Sequence, residues 1–239
     1  MRITFIGTSH GVPDPNRRCT CTMLEVSGRY YFIDMGTQAI EDLADRGIDI
    51  HDVKGIFITH PHCDHSDGLV SFVTLISWCF KDADPVISLP QMSMADGLAA
   101  WIRGMDEPVR ENLRYQETKP GVVYDDGFVK ITAIPTQHCR NSYAYYIEGD
   151  GKKVLFTGDL KSADVDFPQI AFEESMDLIV IEAAHFSPDI AEQVLEKCDV
   201  KRVAYHHINS GWLEQLGRNR NKKHSYQYIL TTDGLELVL

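Results

Sequence analysis

The sequence predicts an α+β fold whose strands divide into two sheets, and three features carry that expectation. Through residue 104, short apolar runs of strand length alternate with stretches of helical periodicity. From Phe128 the pattern turns strongly β, with strands expected over 129–135, 142–148 and 152–157, the last two joined by Gly149-Asp150-Gly151-Lys152. Strand ends in both halves run directly into histidine or aspartate. At 239 residues, without a Pro/Gly/Ser-rich linker or a low-complexity stretch, the chain has the length of a single large domain, 1–239.

Residues 2–6 form a first strand, stopped by the Gly and Pro of the loop Gly7-Thr8-Ser9-His10-Gly11-Val12-Pro13. Residues 22–26 and 29–34 read as a hairpin around Ser27-Gly28, its second strand carrying Tyr30, Tyr31, Phe32 and Ile33 and closing at Asp34-Met35-Gly36. A helix is expected over 37–46, where Ile40, Leu43 and Ala44 keep helical spacing. The apolar run 53–58 is a strand that delivers Thr59 to a loop. Residues 66–80 have the length and apolar content of a helix packed beneath that loop, with Phe72 and Trp78 expected in the core. A strand over 85–89 and a helix over 93–104 follow. The polar segment 107–120 is expected to cover the mouth of the site; Trp101, Met105 and Tyr115 either face a substrate or pack in the core, the commoner fate of such residues. After the three β runs come a strand over 176–182, a helix over 188–198, a strand over 201–205, and a hairpin or strand pair over 226–239 around Asp233-Gly234.

Acidic residues outnumber basic ones, 35 to 23, for a net charge of −12. A broad electropositive face for extended nucleic acid is therefore not expected, although a local basic patch can still hold one phosphate. A small-molecule substrate is favoured, and a homodimer is compatible with the sequence. Six cysteines scattered through a chain too large to need staples imply reduced thiols. Cys19-x-Cys21 has the form of half a structural zinc site, but no second pair completes it nearby. There is no run of eighteen apolar residues and no signal-peptide pattern, so a soluble, cytoplasmic protein without a membrane partner is expected.

The chemistry concentrates in Thr59-His60-Pro61-His62-Cys63-Asp64-His65-Ser66-Asp67-Gly68, where three imidazoles and a carboxylate fall within six residues. Imidazole with carboxylate suits zinc, iron or manganese. A loop leaving a buried strand lets His60 and His62 grip one ion while Asp64 and His65, displaced along the loop, face a second. A solvated polar loop with Ser66 capping a helix is the plainer alternative, but the density of ligands beside a buried strand argues against it.

The pattern His-x-His-x-Asp-His resembles the signature of the metallo-β-lactamase superfamily, most of whose members are metal-dependent hydrolases. The resemblance implies a four-layer αββα sandwich with two divalent ions, zinc foremost and manganese or iron as alternatives, at one edge between the sheets. It also implies the remaining ligands. His138, after the strand ending at Pro135, would complete the first ion with His60 and His62; Asp159, in Phe156-Thr157-Gly158-Asp159, would bridge both ions, with Gly158 letting the backbone pass close. A histidine after residues 201–205 would complete the second ion with Asp64 and His65. His206 and His207 both stand there, facing opposite sides if the strand continues through them. Alignment of Tyr205-His206-His207-Ile208-Asn209 with the family's Leu-Thr-His-Phe-Ser step selects His207. Asp34 would orient a ligand by hydrogen bonding, a plain turn cap being the alternative, and His10 would lie near the site as a loop residue.

The opening Gly7-Thr8 loop with Arg17 and Arg18, the Asp34-x-Gly36 step and the ligand order resemble the ribonuclease Z-like and small phosphodiesterase branch. Two ions roughly 3.5–4 Å apart lower the pKa of a bridging water toward about 7 and clamp the attacking and leaving oxygens of an in-line displacement. Ribonuclease Z inserts its long tRNA-gripping arm between the third histidine and the bridging aspartate, where this chain has only residues 139–158. A tRNA 3′-processing ribonuclease is thus less expected than a phosphodiesterase acting on a small cyclic or nucleotide-like phosphodiester. The alternative is a lactone, β-lactam or thioester hydrolase on the same centre. A flavodiiron-like oxidoreductase usually replaces the second histidine by Glu, and here His62 is retained with no flavin domain. The expected catalytic residues are Asp64, His185 as proton donor to the leaving group, and Glu182 as the carboxylate that orients it; the plainer reading of His185 is a cap on the helix from Pro188. The basic run 217–224 is either a phosphate dock or a solvated loop.

Overall fold

In the computed structural model, which describes residues 1–12 and 14–239, the chain builds one seven-stranded sheet, crosses over, and builds a second. Pro13, expected to help stop the first strand, lies outside the described residues. β1 (Arg2–Gly7), β2 (Cys21–Val26) and β3 (Arg29–Met35) are antiparallel neighbours. Ser27 and Gly28, at φ 52° and 74°, form the two-residue turn whose twist suits a hairpin. From β3 the connections become helical and the strands parallel: α1 (Ile40–Asp45) leads to β4 (Val53–Phe57), α2 (Cys63–Ser66) and α3 (Gly68–Trp78) to β5 (Val86–Leu89), and α4 (Ser93–Gly104) to β6 (Arg114–Glu117).

The second sheet starts with the antiparallel run β7 (Gly121–Asp125), β8 (Val129–Pro135), β9 (Tyr143–Gly149) and β10 (Lys152–Phe156). It continues in parallel with α5 (Ala163–Asp166), α6 (Ile170–Glu173), β11 (Leu178–Ala183), α7 (Pro188–Leu195), β12 (Arg202–Ile208), α8 (Leu213–Asn219) and β13 (Gln227–Leu230). β14 (Leu235–Val238) then returns to pair with β1. The two strands expected over 226–239 form, but they join different sheets instead of pairing with each other. Gly234 donates its N–H to the Phe5 carbonyl (2.8 Å) and Asp233 accepts from Thr8 (2.7 Å) and the Arg18 N–H (2.7 Å), so the turn carries the chain from one sheet to the other.

Three apolar seams separate four layers. In β3, Tyr31 and Ile33 face the opposite sheet while Tyr30 and Phe32 face helices, the side-chain alternation that makes both faces of a sheet apolar. The seam between the sheets holds Phe5, Leu24, Phe57, Tyr145, Val154 and Val180. Outside the first sheet, Ile56 packs with Leu69, Phe72 and Ile76; outside the second, Ile179 and Ile181 pack with Ala191, Leu195 and Leu216. The result is the expected αββα order. No helix among the described residues is long and apolar enough to cross a membrane.

Several expectations are corrected. The first helix begins at Ile40, not 37, and the helix expected over 66–80 is α3, Gly68–Trp78, preceded by the unexpected short helix α2 within the histidine loop. Phe72 is buried but Trp78 is 58% exposed: two residues past Ile76, it is turned roughly 200° from the buried stripe. Of the segment 107–120 expected to cover the mouth of the site, residues 114–117 form the edge strand β6 and Arg110 is anchored elsewhere. Arg110 donates from its backbone N–H to Ser77 Oγ (3.1 Å) and from its guanidinium to the Ala83 carbonyl (2.8 Å), at the end of α3 remote from the histidine loop. Trp101, in the last turn of α4, and Met105, just past it, are 66% and 47% exposed and so are not core residues, whereas Tyr115 packs under the first sheet's helices.

Candidate metal centre

β8 runs against β9, which runs against β10, and β10, β11 and β12 are parallel, so β8, β10, β11 and β12 all end at one edge of the second sheet. Those ends carry His138, Asp159, Glu182 and His207. The end of β4 abuts them: Tyr143 donates its N–H to the Thr59 carbonyl (2.9 Å) and its neighbour Tyr145 its hydroxyl to the Ile58 carbonyl (2.9 Å). Gly158, at φ 56°, passes so close that a β-carbon would lie 2.8 Å from the Tyr143 carbonyl oxygen. A side chain at Gly36 would strike the Asp64 carbonyl oxygen at 1.7 Å, so glycine is required where the Asp34 step seats the histidine loop.

Within this cleft the structure assembles two groups about one carboxylate. His62 Nδ1 lies 2.9 Å from His60 Nε2 and 3.2 Å from His138 Nε2, and Asp159 Oδ2 lies 3.5 and 3.6 Å from the last two. Asp64 Oδ2 lies 3.1 Å from His207 Nε2 and 3.6 Å from His65 Nε2, and Asp159 Oδ1 lies 3.5 Å from both His65 Nε2 and His207 Nδ1. Each group offers ligand atoms within reach of one cation, and a third, overlapping group of Asp159, Glu182, His185 and His207 does the same. His65 Nε2, His207 Nδ1 and Asp159 Oδ1 are buried without a hydrogen-bond partner, and orphaned buried polar atoms in such numbers call for an ion. The donor set, imidazole with carboxylate, fits zinc, manganese or iron. None of the six free cysteines joins a ligand group among the described residues, so Cys19-x-Cys21 forms no zinc site there.

Hydrogen bonds behind the imidazoles decide which nitrogen faces the centre. Asp34, at φ 58°, accepts from the Thr59 N–H (2.7 Å), the Thr59 hydroxyl (2.9 Å) and His65 Nδ1 (2.8 Å). A carboxylate only accepts, so His65 carries a proton on Nδ1 and turns Nε2 toward the centre. Thr59, its proton committed to Asp34, accepts from His60 Nδ1 (3.0 Å), which exposes the His60 Nε2 lone pair in the same way. Asp34 thus orients one histidine in each group, more than a turn cap would do.

Burial, then the neighbouring His65 charge, pushes His60 down to about 2, so its ring is a neutral donor. Burial disfavours charge on Asp159, yet the surrounding His207, His65 and His60 overcome it and hold the carboxyl well below its usual range. Burial likewise opposes the Asp64 anion, and the His207 hydrogen bond and His65 outweigh it. Carboxylates held in their anionic form beside a neutral His60 form a pocket complementary to cations.

His207 rather than His206 turns into this pocket. β12 runs through both, but β11 pairs Glu182 with His206 and then Ala183 with Ile208, leaving His207 as a bulged residue at φ 49°. A bulge re-aims a side chain. His206 instead lies between the sheets, 3.4 Å from Thr22 Oγ1 and 5.2 Å from the Phe5 ring, and burial depresses it to about 3. His207→Ala is therefore expected to lower the metal content of the purified protein more than His206→Ala does, by elemental analysis; the reverse order would move the ligand by one residue. His10, whose ring is 6.3 Å from that of His207, stands outside the ligand groups.

Glu182 and His185 adjoin the same pocket. His185 Nδ1 donates to Glu182 Oε2 (2.8 Å) and lies 3.7 Å from Asp159 Oδ2, and its ring is 4.5 Å from that of His138. Glu182 also accepts from the Leu160 N–H (2.6 Å), so it steadies the residue after Asp159. The hydrogen bond to Glu182 lifts His185 to about 9. Ser187, not His185, caps α7, which removes the plainer reading of this histidine. The basic run lies elsewhere: Arg218 pairs with Glu214, Lys222 with Asp189 (3.3 Å) and Glu192 (3.1 Å), and His224 with Glu196 (3.2 Å). Sequence reasoning missed Thr59 and also Asp166, whose partners are Gln137, Lys161 and Ser162.

A family model described as Anti-Pycsar protein Apyc1 matches residues 1–194. Ribonuclease Z of Listeria innocua serovar 6a is 28% identical over 170 residues, 70% of this chain and 55% of that protein, so the chain spans little more than half the length of that curated relative. Among solved structures, the metallo-β-lactamase fold protein YhfI from Bacillus subtilis has a TM-score of 0.76 at 15% identity over 99% of this chain and 98% of its own. A diphosphatase of the PhnP family has a TM-score of 0.74 at 20% identity, covering 100% and 97%. The fold is that of the metallo-β-lactamase proteins.

Proposed function

Since the chain belongs to the Anti-Pycsar protein Apyc1 family, on the ribonuclease Z-like branch of the metallo-β-lactamase superfamily, we propose that it is a metal-dependent hydrolase of small cyclic or nucleotide-like phosphodiesters, working with two divalent ions, zinc foremost. The observation that carries this reading is Asp159, whose two oxygens each face a separate group of histidines at 3.5–3.6 Å. Two cations so held would supply Lewis acidity, lowering the pKa of water toward about 7 and neutralising the phosphoryl oxygens.

The chain's residues do the rest. His60, His62 and His138 form one ligand set and Asp64, His65 and His207 the other, with Asp159 shared. Asp34 and Thr59 keep the inward lone pairs free of protons. Glu182 holds His185 protonated and turned so that Nε2 can give its proton to the departing alkoxide. Residues 139–158 are taken up by a short loop, β9, a tight turn and the whole of β10, which leaves no segment there for a tRNA-gripping arm and favours a small substrate. The likenesses to a ribonuclease and a diphosphatase favour phosphoryl chemistry over a lactone, β-lactam or thioester.

The test pairs elemental analysis with two assays on one preparation. Two ions per chain and faster turnover of bis(p-nitrophenyl) phosphate than of nitrocefin or a lactone are expected. Faster lactone or nitrocefin turnover would promote the alternative hydrolase, and inert, metal-free protein would sink both.

A further inference from the structure

The two loops that bring His138 and Asp159 to the centre are tied together by a carboxylate outside it. Asp166, the last residue of α5, accepts from the Gln137 N–H (2.6 Å) and the Lys161 N–H (3.1 Å) at Oδ2, and from the Ser162 N–H (3.1 Å) at Oδ1. Gln137 directly precedes His138, and Lys161 is two residues past Asp159. The Asp166 backbone N–H returns to the Ser162 carbonyl (3.2 Å), closing the turn, and Ala163 is buried against the core beneath the second sheet, so the carboxylate is mounted on a fixed support. A second strut runs alongside: Thr136 Oγ1 donates to the Asp159 carbonyl (3.2 Å) or to Ser142 Oγ (2.8 Å).

We propose that Asp166 is a positioning residue that sets the spacing between His138 and Asp159, and with it the geometry of the ligand set completed by His60 and His62, while touching neither ion nor substrate. The proposal rests on the two-ion reading above. Its physical basis is the donor count: three backbone N–H groups from two loops converge on one anion, and charge-assisted hydrogen bonds are the stronger kind. Alanine leaves those donors to water and unties the loops. Asparagine keeps one acceptor oxygen but turns an amide N–H₂ toward at least one donor, so it restores only part of the tie. The set of His60, His62 and His138 depends on both tethered loops, whereas Asp64, His65 and His207 lie on neither and meet the tether only through the shared Asp159, so the effect should fall mainly on the first ion.

The experiment is a chelator titration of this 239-residue chain loaded with zinc, followed by elemental analysis, with cobalt(II) absorption as a second readout. Asp166→Ala is expected to bind one of its two ions about 10–100-fold more weakly, to alter the cobalt spectrum, and to keep the melting temperature of wild type in excess chelator. Asp166→Asn should fall between the two. Unchanged affinities and an unchanged cobalt spectrum in Asp166→Ala would overturn the proposal, as would equal weakening of both ions with a lowered chelated melting temperature. If Asp166→Ala does not fold, Asp166→Asn with wild-type affinities overturns it equally. Wild-type protein that takes up no second ion would overturn the two-ion reading itself, a result distinguishable because it precedes any mutation.

Discussion

Asp159→Ala should lose both ions and hydrolytic activity together, a fall on the order of 10⁴-fold or more, since water without a metal keeps a pKa near 15.7 instead of about 7. The carboxylate is 3% exposed and stands between two sets of imidazoles, one oxygen toward each. Removing it takes a ligand from both sets and also removes the anion that would offset repulsion between two dications. Asp159→Asn separates these effects, because it keeps the shape and one acceptor oxygen but not the charge; it should retain at most one ion. Asp64→Ala and His65→Ala should be milder in stoichiometry, emptying one position, and still inactive. Elemental analysis beside a phosphodiester rate decides the matter: an Asp159→Ala protein with two ions and wild-type turnover would refute the shared-ligand assignment.

His185→Ala is expected to show a loss that depends on the leaving group. A nucleoside or methyl alkoxide is a strong base that needs a proton as it departs, and a positioned histidine typically contributes about 10²–10⁴-fold. p-Nitrophenolate leaves unprotonated, so its release should hardly change. The Glu182 carboxylate, 2.8 Å from Nδ1, keeps the ring cationic and leaves Nε2 to face the cleft, on a side chain 37% exposed. Both ions should be retained. Equal losses on the two esters, or loss of an ion, would make His185 a structural residue or a ligand, which its 3.7 Å approach to Asp159 makes the competing assignment.

How legible this centre was depends on how local its signals are. The loop from His60 to His65 concentrates four ligands within six residues past a strand end, so their chemistry could be read without knowledge of the fold. His138, Asp159 and His207 are single residues at three further strand ends, and only the order implied by the superfamily resemblance connects them. The choice between His206 and His207 turns on a bulge against β11, which leaves no mark in hydrophobic periodicity. Asp166 was invisible because its partners belong to two loops that meet only after the second sheet has formed. In the fold, the hairpins and the strand over 129–135 were legible from turn residues and alternation. Trp78 was misplaced because aromatic character was weighed above helical phase, and the last two strands because a turn sequence does not say which sheet receives each side of it.

The origin of the ligands has a consequence for the folding of the molecule. His60, His62, Asp64 and His65 hang from the first sheet, while His138, Asp159 and His207 hang from the second. Along most of their length the sheets are joined by apolar contact, which is non-directional; at this edge, ions would rivet them with directional bonds. Ligation would then couple the thermal unfolding of the two sheets, stabilising the native state by about 4 kcal/mol when free metal stands at 1,000 times its dissociation constant. Without metal, the same edge brings together buried imidazoles and carboxylates that nothing else fully satisfies, so the halves should melt less cooperatively there than at the opposite edge of the sandwich.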